Sequence, residues 1–464
     1  MADVERFDVV VVGSGEAGKY VAWTMGAAGH RTAVIERRYI GGSCPNIACL
    51  PSKNLIHSAK VKSYAGRASE FGVDVGSIAT DMEAVQRRKR RMVDALIGIH
   101  VGRYEAAGVE LIMGDAHFVA PRTFAVSRDG VEPRVIFGDR VFLNLGTSAA
   151  RPDVPGLADA QPMTHVEALE LDRIPGHLIV LGGGYVGLEL AQAMRRFGSV
   201  VTVVERGQQL AGREDPDVGD ALYELFRDEG IHVVLEADVR EVSGRSGDDV
   251  RLHVAGPSDD RWIEGTDLLV AAGRTPNTAD IRADLAGVDL DARGYVEVND
   301  RLETTAPGVW ALGDCAGSPQ FTHVAFDDFR IVRDNLNGGS RTTHDRLVPY
   351  CMFTDPELGR VGMNELEAKD RGIAYRTARL PMAAVLRTRT TSEPRGFMKM
   401  LIATESSRIL GFTAFGAGAT ELVATVQTAM LGNLPFTALR DAVFTHPTAA
   451  EGLTVLLADV RDDR

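Results

Sequence analysis

Val9-Val10-Val11-Val12-Gly13-Ser14-Gly15-Glu16-Ala17-Gly18 is the stretch that decides the fold. Four β-branched residues in a row read as a buried strand. They run into G-x-G-x-x-G, then a helical stretch, then an apolar run at 32–35 that ends at Glu36. Gly13 permits a tight turn. Gly15 lets the backbone approach a pyrophosphate at the helix N-terminus, and Gly18 lets the helix pack on the strand. Glu36 can accept a hydrogen bond from a ribose hydroxyl.

Working outward, the pattern recurs. An apolar run at 178–181 leads into Gly182-Gly183-Gly184-Tyr185-Val186-Gly187, a helical stretch, and a strand-like run at 200–204 that ends at Glu205. Glu36 lies 18 residues past Gly18, and Glu205 lies 18 past Gly187. One such fingerprint is weak evidence. Two in full strand–helix–strand context, with one acid offset, predict two adenine dinucleotides. A held flavin and an exchangeable nicotinamide make an electron relay, for which the protein aligns the rings and supplies a terminal acceptor.

The chain has 464 residues, enough for two to four domains. Its net charge of −13 argues against nucleic acid or an anionic membrane as partner. The one basic run, Arg87-Arg88-Lys89-Arg90-Arg91, reads as a solvated helix face. No secretory signal is visible, and the apolar runs are too short to span a bilayer. Four cysteines do not make a disulfide scaffold. A cytoplasmic setting is expected, where a disulfide is catalytic or redox-sensing.

Two of the four cysteines fall in Gly41-Gly42-Ser43-Cys44-Pro45-Asn46-Ile47-Ala48-Cys49-Leu50-Pro51-Ser52-Lys53. Three readings stay open. A zinc site wants four ligands, and only His57 lies nearby. Two unrelated buried thiols are the plain alternative. The third reading is a redox disulfide. In an unbroken helix, positions five apart are separated by about 7.5 Å along the axis and about 140° around it, so closing the bridge distorts the turn. Pro45 helps to loosen it. Lys53 and a helix N-terminus favour a thiolate.

At these residues the chain resembles the class I flavin disulfide reductases: lipoamide dehydrogenase, glutathione reductase, mercuric reductase and relatives. Residues 41–53 resemble the family's redox motif. Asn144-Leu145-Gly146-Thr147-Ser148-Ala149, with Pro152 to Gly156, resembles its A-T-G-S-x-P segment. Ala272-Gly273-Arg274-Thr275-Pro276-Asn277 matches G-R-x-P-N, and Trp310-Ala311-Leu312-Gly313-Asp314 matches the second flavin motif. His446-Pro447-Thr448-Ala449-Ala450-Glu451 matches H-P-x-x-x-E. Phe321-Thr322-His323 and residues 380–389 are similar to a mercuric-reductase-like branch that includes a reactive-chlorine-resistance flavoprotein.

The resemblance implies an α/β fold of two Rossmann-like domains and a C-terminal α/β dimerisation domain. It implies FAD, NADH or NADPH, a homodimer, a small-molecule acceptor (a disulfide, a metal ion or an oxidant) and a role in cell redox homeostasis, with no resident metal, nucleic acid or membrane partner. Cys49 is then the thiolate facing the flavin and Cys44 the interchange thiol. His446, oriented by Glu451 and contributed by the other subunit, moves the proton. Lys53 pairs with Glu189 near the flavin, and Tyr185 gates the nicotinamide. Gly13, Gly15, Gly18, Glu36, Lys53, Thr147 and Asp314 serve the FAD. Gly182, Gly184, Tyr185, Gly187, Glu205, Arg206 and Gly273 complete the cofactor set. Taken alone, His446 is one of eleven histidines, Lys53 a solvated lysine and Glu189 an ordinary helix residue; the motifs give them roles. Cys315 and Cys351 read as packing residues.

The departures carry information too. Ala48 replaces the family's glycine and Ser43 its threonine. No cysteine follows Cys351, so the paired C-terminal cysteines of mercuric reductase are missing. Phe444 stands where lipoamide dehydrogenases carry a second histidine, which counts against a lipoamide enzyme; it stays an alternative, beside a redox sensor that uses the disulfide as a switch. Glu205 disfavours a 2′-phosphate while Arg206 would welcome one, and the acid–ribose rule favours NADH. The expected domains are 1–150 with 278–345 for FAD, 151–277 for NAD(P), and 346–464 for the interface, joined at the Pro152–Gly156 and Pro276-Asn277 breaks.

Overall fold

The β-branched run of the opening fingerprint lies at the centre of a seven-stranded sheet. In the computed structural model, which describes residues 4–256, 260–344 and 346–460, strand Val4–Val12 pairs in parallel with Thr32–Glu36 on one side and Val131–Leu143 on the other. Residues 1–3 of the expected first domain and 461–464 of the last lie outside the described residues. Glu110–Met113 extends one edge in parallel, and Thr123–Arg128 and Asp115–Ala120 extend the other as an antiparallel hairpin. Val309–Ala311 joins Val131–Leu143 from 166 residues away, measured from Leu143 to Val309. The chain therefore leaves this sheet and returns to it.

Between the two visits it builds a second parallel sheet, ordered His232–Val234, Val200–Val204, His177–Leu181, Asp267–Val270. Both faces of such a sheet are covered, so its strands are apolar throughout rather than alternating. Ile179, Val180, Val201, Val203 and Leu268 are all buried. A three-stranded antiparallel sheet (Asp238–Arg245, Asp249–Ala255, Asp260–Gly265) lies beside it, which the sequence reading did not separate out. Thr147–Ala149 pairs with Arg274–Pro276, so the exit from and the return to the first unit are clamped together.

The last unit is a five-stranded antiparallel sheet ordered Tyr350–Met352, Glu357–Gly362, Ile409–Gly416, Phe397–Ala403, Tyr375–Pro381. Lys399 on its fourth strand is 1% exposed and contacts Asp215 at 2.7 Å, Asp217 at 2.8 Å and Glu365 at 2.9 Å. A buried cation with three carboxylates ties this sheet to the loop before helix Pro216–Asp228. Removing the cation strands three acids. Lys399→Ala should cost about 3–5 kcal/mol, read as a lowered urea midpoint; a wild-type midpoint would show that the network contributes nothing.

The basic run lies on helix Met82–Ala106, and one member corrects the expectation of a solvated face. Lys89 is 1% exposed, with Nζ 2.5 Å from the carbonyl of Leu169. It docks that helix on the second unit, beside Gln86, whose amide donates to Leu169 and Leu171. Arg87 pairs with Glu83 and Arg90 with Glu170 at the surface. Among the described residues, no helix is long and apolar enough to cross a membrane.

Candidate active site

The two cysteines are not on one helix. Ser43–Asn46 forms a single turn, and the long helix Cys49–Gly66 starts afresh. The break is at Ile47 (φ −138°, ψ 5°) and Ala48 (φ −132°, ψ −105°) rather than at Pro45, which sits in a first turn where its missing N–H costs nothing. Ala48 has negative φ, so a side chain there meets no left-handed strain. The break brings the thiols of Cys44 and Cys49 within hydrogen-bonding reach. Both cysteines are half-buried and unbridged. Gly42 has φ +79°, and a Cβ there would meet the Cα of Gly15 at 2.5 Å. The cysteine loop is thus packed directly on the first fingerprint turn.

The pair is electrostatically unequal. The thiol of Cys44 donates to Cys49 and lowers its pKa to about 6, with help from the Thr322 hydroxyl and the Lys53 charge, against burial. Cys44 is pushed well up by the same contact and by burial. Cys49 also opens a helix whose N-cap supplies no side-chain acceptor, a place that favours thiolate. Because the shift is downward, the thiolate of the reduced protein should persist above about pH 6 and disappear as pH falls through that value. Ultraviolet thiolate absorbance across pH 4–9 checks it. Thr322→Val should move the midpoint up, and an unmoved midpoint would remove Thr322 from the site.

Lys53 stands one turn further along this helix. Its Nζ is 2.7 Å from Glu189 Oε2, while Glu189 Oε1 accepts from the backbone of Phe353 at 2.8 Å. The Phe353 ring lies under the ammonium, 4.8 Å away. Three separate parts of the chain therefore fix one charge.

Each fingerprint closes in the same way. A Cβ on Gly18 would meet the carbonyl of Gly13 at 2.3 Å, and one on Gly187 the carbonyl of Gly182 at 2.2 Å. Glu36 accepts from the backbone N–H of Ser14 at 2.9 Å, and Glu205 from that of Gly183 at 2.6 Å. Helices Glu16–Ala27 and Tyr185–Phe197 begin at Gly15 and Gly184 with no side-chain cap. The Gly18 N–H donates to Asn144 Oδ1 at 3.0 Å, and the N–H groups ahead of it can face an anion. Beyond the Cα of Gly184 lies open space. Both turns fit a pyrophosphate.

Thr147 donates to Asp314 Oδ2 at 2.6 Å and accepts from Arg274 Nε at 2.7 Å. Gly273 has φ +116°, and its carbonyl accepts from Ala150, which is a backbone role. Arg206 lines a cavity of about 460 Å³ with Gly207, Gln208, Glu236, Asp238 and Arg240. At the far end of the chain His446 Nδ1 lies 2.9 Å from Glu451 Oε1. The imidazole is 62% exposed. Among the described residues it bonds Glu451 and is not brought to the cysteines of its own chain. Cys315 is buried, and Cys351 is half-buried on strand Tyr350–Met352.

Residues 7–328 match the pyridine nucleotide-disulphide oxidoreductase family, and residues 348–456 its dimerisation domain. The chain belongs to the pyridine nucleotide-disulphide oxidoreductases. It is 35% identical over 464 residues to the probable pyridine nucleotide-disulfide oxidoreductase RclA of Escherichia coli (strain K12), covering 99% of this chain and 100% of that protein. It is 30% identical to the mercuric reductase of Bacillus cereus, covering 96% of this chain and 70% of the relative. The solved Cu(II) complex of the HOCl-induced flavoprotein disulfide reductase RclA from Escherichia coli superposes with a TM-score of 0.90 at 34% identity, over 98% of this chain and 100% of that one.

As a pyridine nucleotide-disulphide oxidoreductase, the chain is an FAD- and NAD(P)H-dependent enzyme that passes electrons from NAD(P)H through FAD to a redox disulfide. Its fold of Rossmann-like units and a dimerisation domain is the family's. Three contact residues at the site had no role in the sequence reading: Thr322 on Cys49, Phe353 on Lys53 and Arg274 on Thr147. Thr322 and Arg274 stand inside motifs that the reading quoted. Their contacts lie 273 and 127 residues away, beyond any local pattern.

Proposed function

We propose that Cys44 and Cys49 are the redox pair of an NAD(P)H-dependent disulfide reductase, with Cys49 facing the flavin and Cys44 facing the acceptor. The unequal ionisation of the two thiols, set beside the Lys53–Glu189 pair, carries this reading. The first fingerprint turn, with Thr147 and Asp314, would hold FAD, whose chemistry would be to pass the two electrons of the nicotinamide's hydride to the disulfide. Cys44, whose proton passes to the partner subunit's His446, attacks one sulfur of a substrate disulfide and expels a thiolate. The partner subunit's His446 protonates that leaving group, which is general acid work for an imidazole oriented by a carboxylate. Cys49 then attacks Cys44 in the mixed disulfide, releases the second thiolate and restores the original bridge.

The chain works in this reading as a cytoplasmic homodimer, because its exposed His446 needs a neighbour's cysteines. Residues 1–150 and 278–345 hold FAD, 151–277 hold NAD(P), and 346–464 make the interface. The acceptor is a small disulfide. Cu(II) is the second reading: the Escherichia coli structure is a Cu(II) complex, and paired thiolates suit the Cu(I) that its reduction would yield.

Anaerobic titration with NADH and then NADPH tests the donor side. A long-wavelength band at two electrons per chain is the expected sign of a Cys49 thiolate against the flavin. Direct bleaching without it would take the cysteines off the electron path. Glu205 braces Gly183 and Gly207 with its two carboxylate oxygens and presents negative charge at the ribose end. kcat/KM should therefore be larger for NADH than for NADPH. The reverse order would assign the nucleotide preference to Arg206.

A further inference from the structure

Gln192 lies one turn past Glu189 on helix Tyr185–Phe197, buried and polar, and the reading above gives it no role. Its side chain pairs with both backbone groups of Asp355. Nε2 donates to the carbonyl at 2.9 Å, and Oε1 accepts from the N–H at 2.8 Å. Nε2 also donates to Glu229 Oε1 at 2.8 Å. One amide thus holds Asp355 as a neighbouring strand would.

The rest of Phe353-Thr354-Asp355 is fastened along the same helix. The Phe353 N–H donates to Glu189, and the Asp355 carboxylate meets Arg196 at 2.6 Å. Positions 189, 192 and 196 share one helix face. From the other side, Lys60 of helix Cys49–Gly66 reaches Asp355 at 2.9 Å, and Lys53 of that helix reaches Glu189. The segment is thus wedged between the helix that carries Cys49 and the second fingerprint helix. It belongs to the dimerisation domain, residues 348–456. Cys49 and Lys53 are four positions apart on one helix face, and the Lys53 charge favours the Cys49 thiolate. Where that charge sits depends on Glu189 and on the Phe353 ring beneath it. Both depend on the register that Gln192 sets.

We propose that Gln192 is a positioning residue of the cysteine pair: by pinning Asp355 it holds Phe353 against Glu189 and Lys53, and so keeps the Lys53 charge beside Cys49. This rests on Cys44 and Cys49 being the redox couple, and it names what sets their poise. Gln192 touches neither thiol and moves no proton or electron. Without it, Glu189 loses the Phe353 N–H and Lys53 loses the ring, so less positive charge faces Cys49. The reduced pair, with Cys49 as thiolate, is then less stable relative to the disulfide, which holds no thiolate. The pair becomes harder to reduce.

The test equilibrates flavin-loaded enzyme, at neutral pH and without oxygen, with mixtures of reduced and oxidised dithiothreitol. One enzyme disulfide and one dithiol exchange for one enzyme dithiol and one cyclic disulfide. Alkylation after acid quenching then counts the reduced enzyme by mass. Gln192→Met should lower the equilibrium constant about 3- to 10-fold, a fraction of what a full opposite charge contributes, or about 14–30 mV for a two-electron couple. Lys62→Met is the control. Lys62 also ties the two helices, by donating to the carbonyl of Phe197 at 2.7 Å, but through the helix end rather than through the segment. It should leave the constant unchanged. An unchanged constant in Gln192→Met, even with a lowered melting temperature, would overturn the proposal. So would an equal fall in Lys62→Met, which would mean general loosening. If Gln192→Met fails to fold, Gln192→Asn decides: it keeps an amide but is one methylene too short for Asp355, and the same fall is expected. Wild-type enzyme that forms no disulfide between Cys44 and Cys49 would overturn the redox-pair reading, and this proposal with it. A wild-type couple that exchanges beside unaffected Gln192 variants would overturn only the proposal.

Discussion

Cys44→Ser and Cys49→Ser should each lose NAD(P)H-dependent disulfide reduction by roughly a thousandfold or more, the scale on which removal of a nucleophile acts. A serine hydroxyl is not a thiolate at neutral pH and cannot enter a disulfide. The two variants should differ in one respect. Cys44→Ser keeps Cys49 beside Thr322 and Lys53, so a thiolate can still form there. It loses the Cys44 contact, the largest cause of the low Cys49 pKa, and its titration midpoint should rise. Cys49→Ser removes the thiolate itself. Reduction of quinones or oxygen by the flavin should survive in both. The measurement is turnover with a small disulfide beside turnover with a quinone. Undiminished disulfide turnover in both variants would sink the dithiol mechanism and leave a flavin-only reductase. If Cu(II) reduction survives in either variant, copper is reduced elsewhere.

His446→Ala should cost about 10²–10⁴-fold in turnover, the range for a positioned general acid–base. Glu451→Gln keeps the shape, but an amide replaces the carboxylate that faces Nδ1 at 2.9 Å. It should cost less. The informative experiment mixes Cys44→Ser with His446→Ala subunits. In a C2 dimer whose sites combine cysteines of one subunit with the histidine of the other, a mixed dimer has one doubly broken site and one intact site. With random mixing, half the dimers are mixed, so activity should return to roughly a quarter of wild type. If mixing restores nothing, the histidine serves its own chain or neither. The apolar surface near this end of the chain suits a partner: Leu431 is 65% exposed, and Val443 is fully exposed.

Much of the enzyme can be read along the chain, because its chemistry is locally encoded. The fingerprints carry their own turn geometry, and the structure closes both in the same way, Gly18 on Gly13 and Gly187 on Gly182. Glu36 and Glu205 were expected at a ribose; the structure adds that each also braces its glycine turn through one backbone N–H. The His446–Glu451 contact spans five residues and follows from its motif. The reading of 87–91 as a solvated face failed at Lys89, since a charge run does not say which member lies beneath a neighbouring unit.

The sequence by itself determined the two nucleotide turns, the dithiol loop and the histidine–carboxylate pair, because each depends on backbone conformation and spacing within a few residues. The resemblance already implied that Cys49 is the thiolate; only the tertiary structure supplied the cause, first of all the Cys44 contact. That asymmetry comes from Thr322 and Lys53 as well as from the break at Ile47 and Ala48, which lets one thiol donate to the other. The tertiary structure alone also placed Tyr350 and Phe321 under Tyr185 and fastened Tyr350 to Glu214 and Arg360. Ring stacking and buried ion pairing act over a few ångströms between residues far apart in the chain. No spacing rule records them, and they exist only once the units have packed.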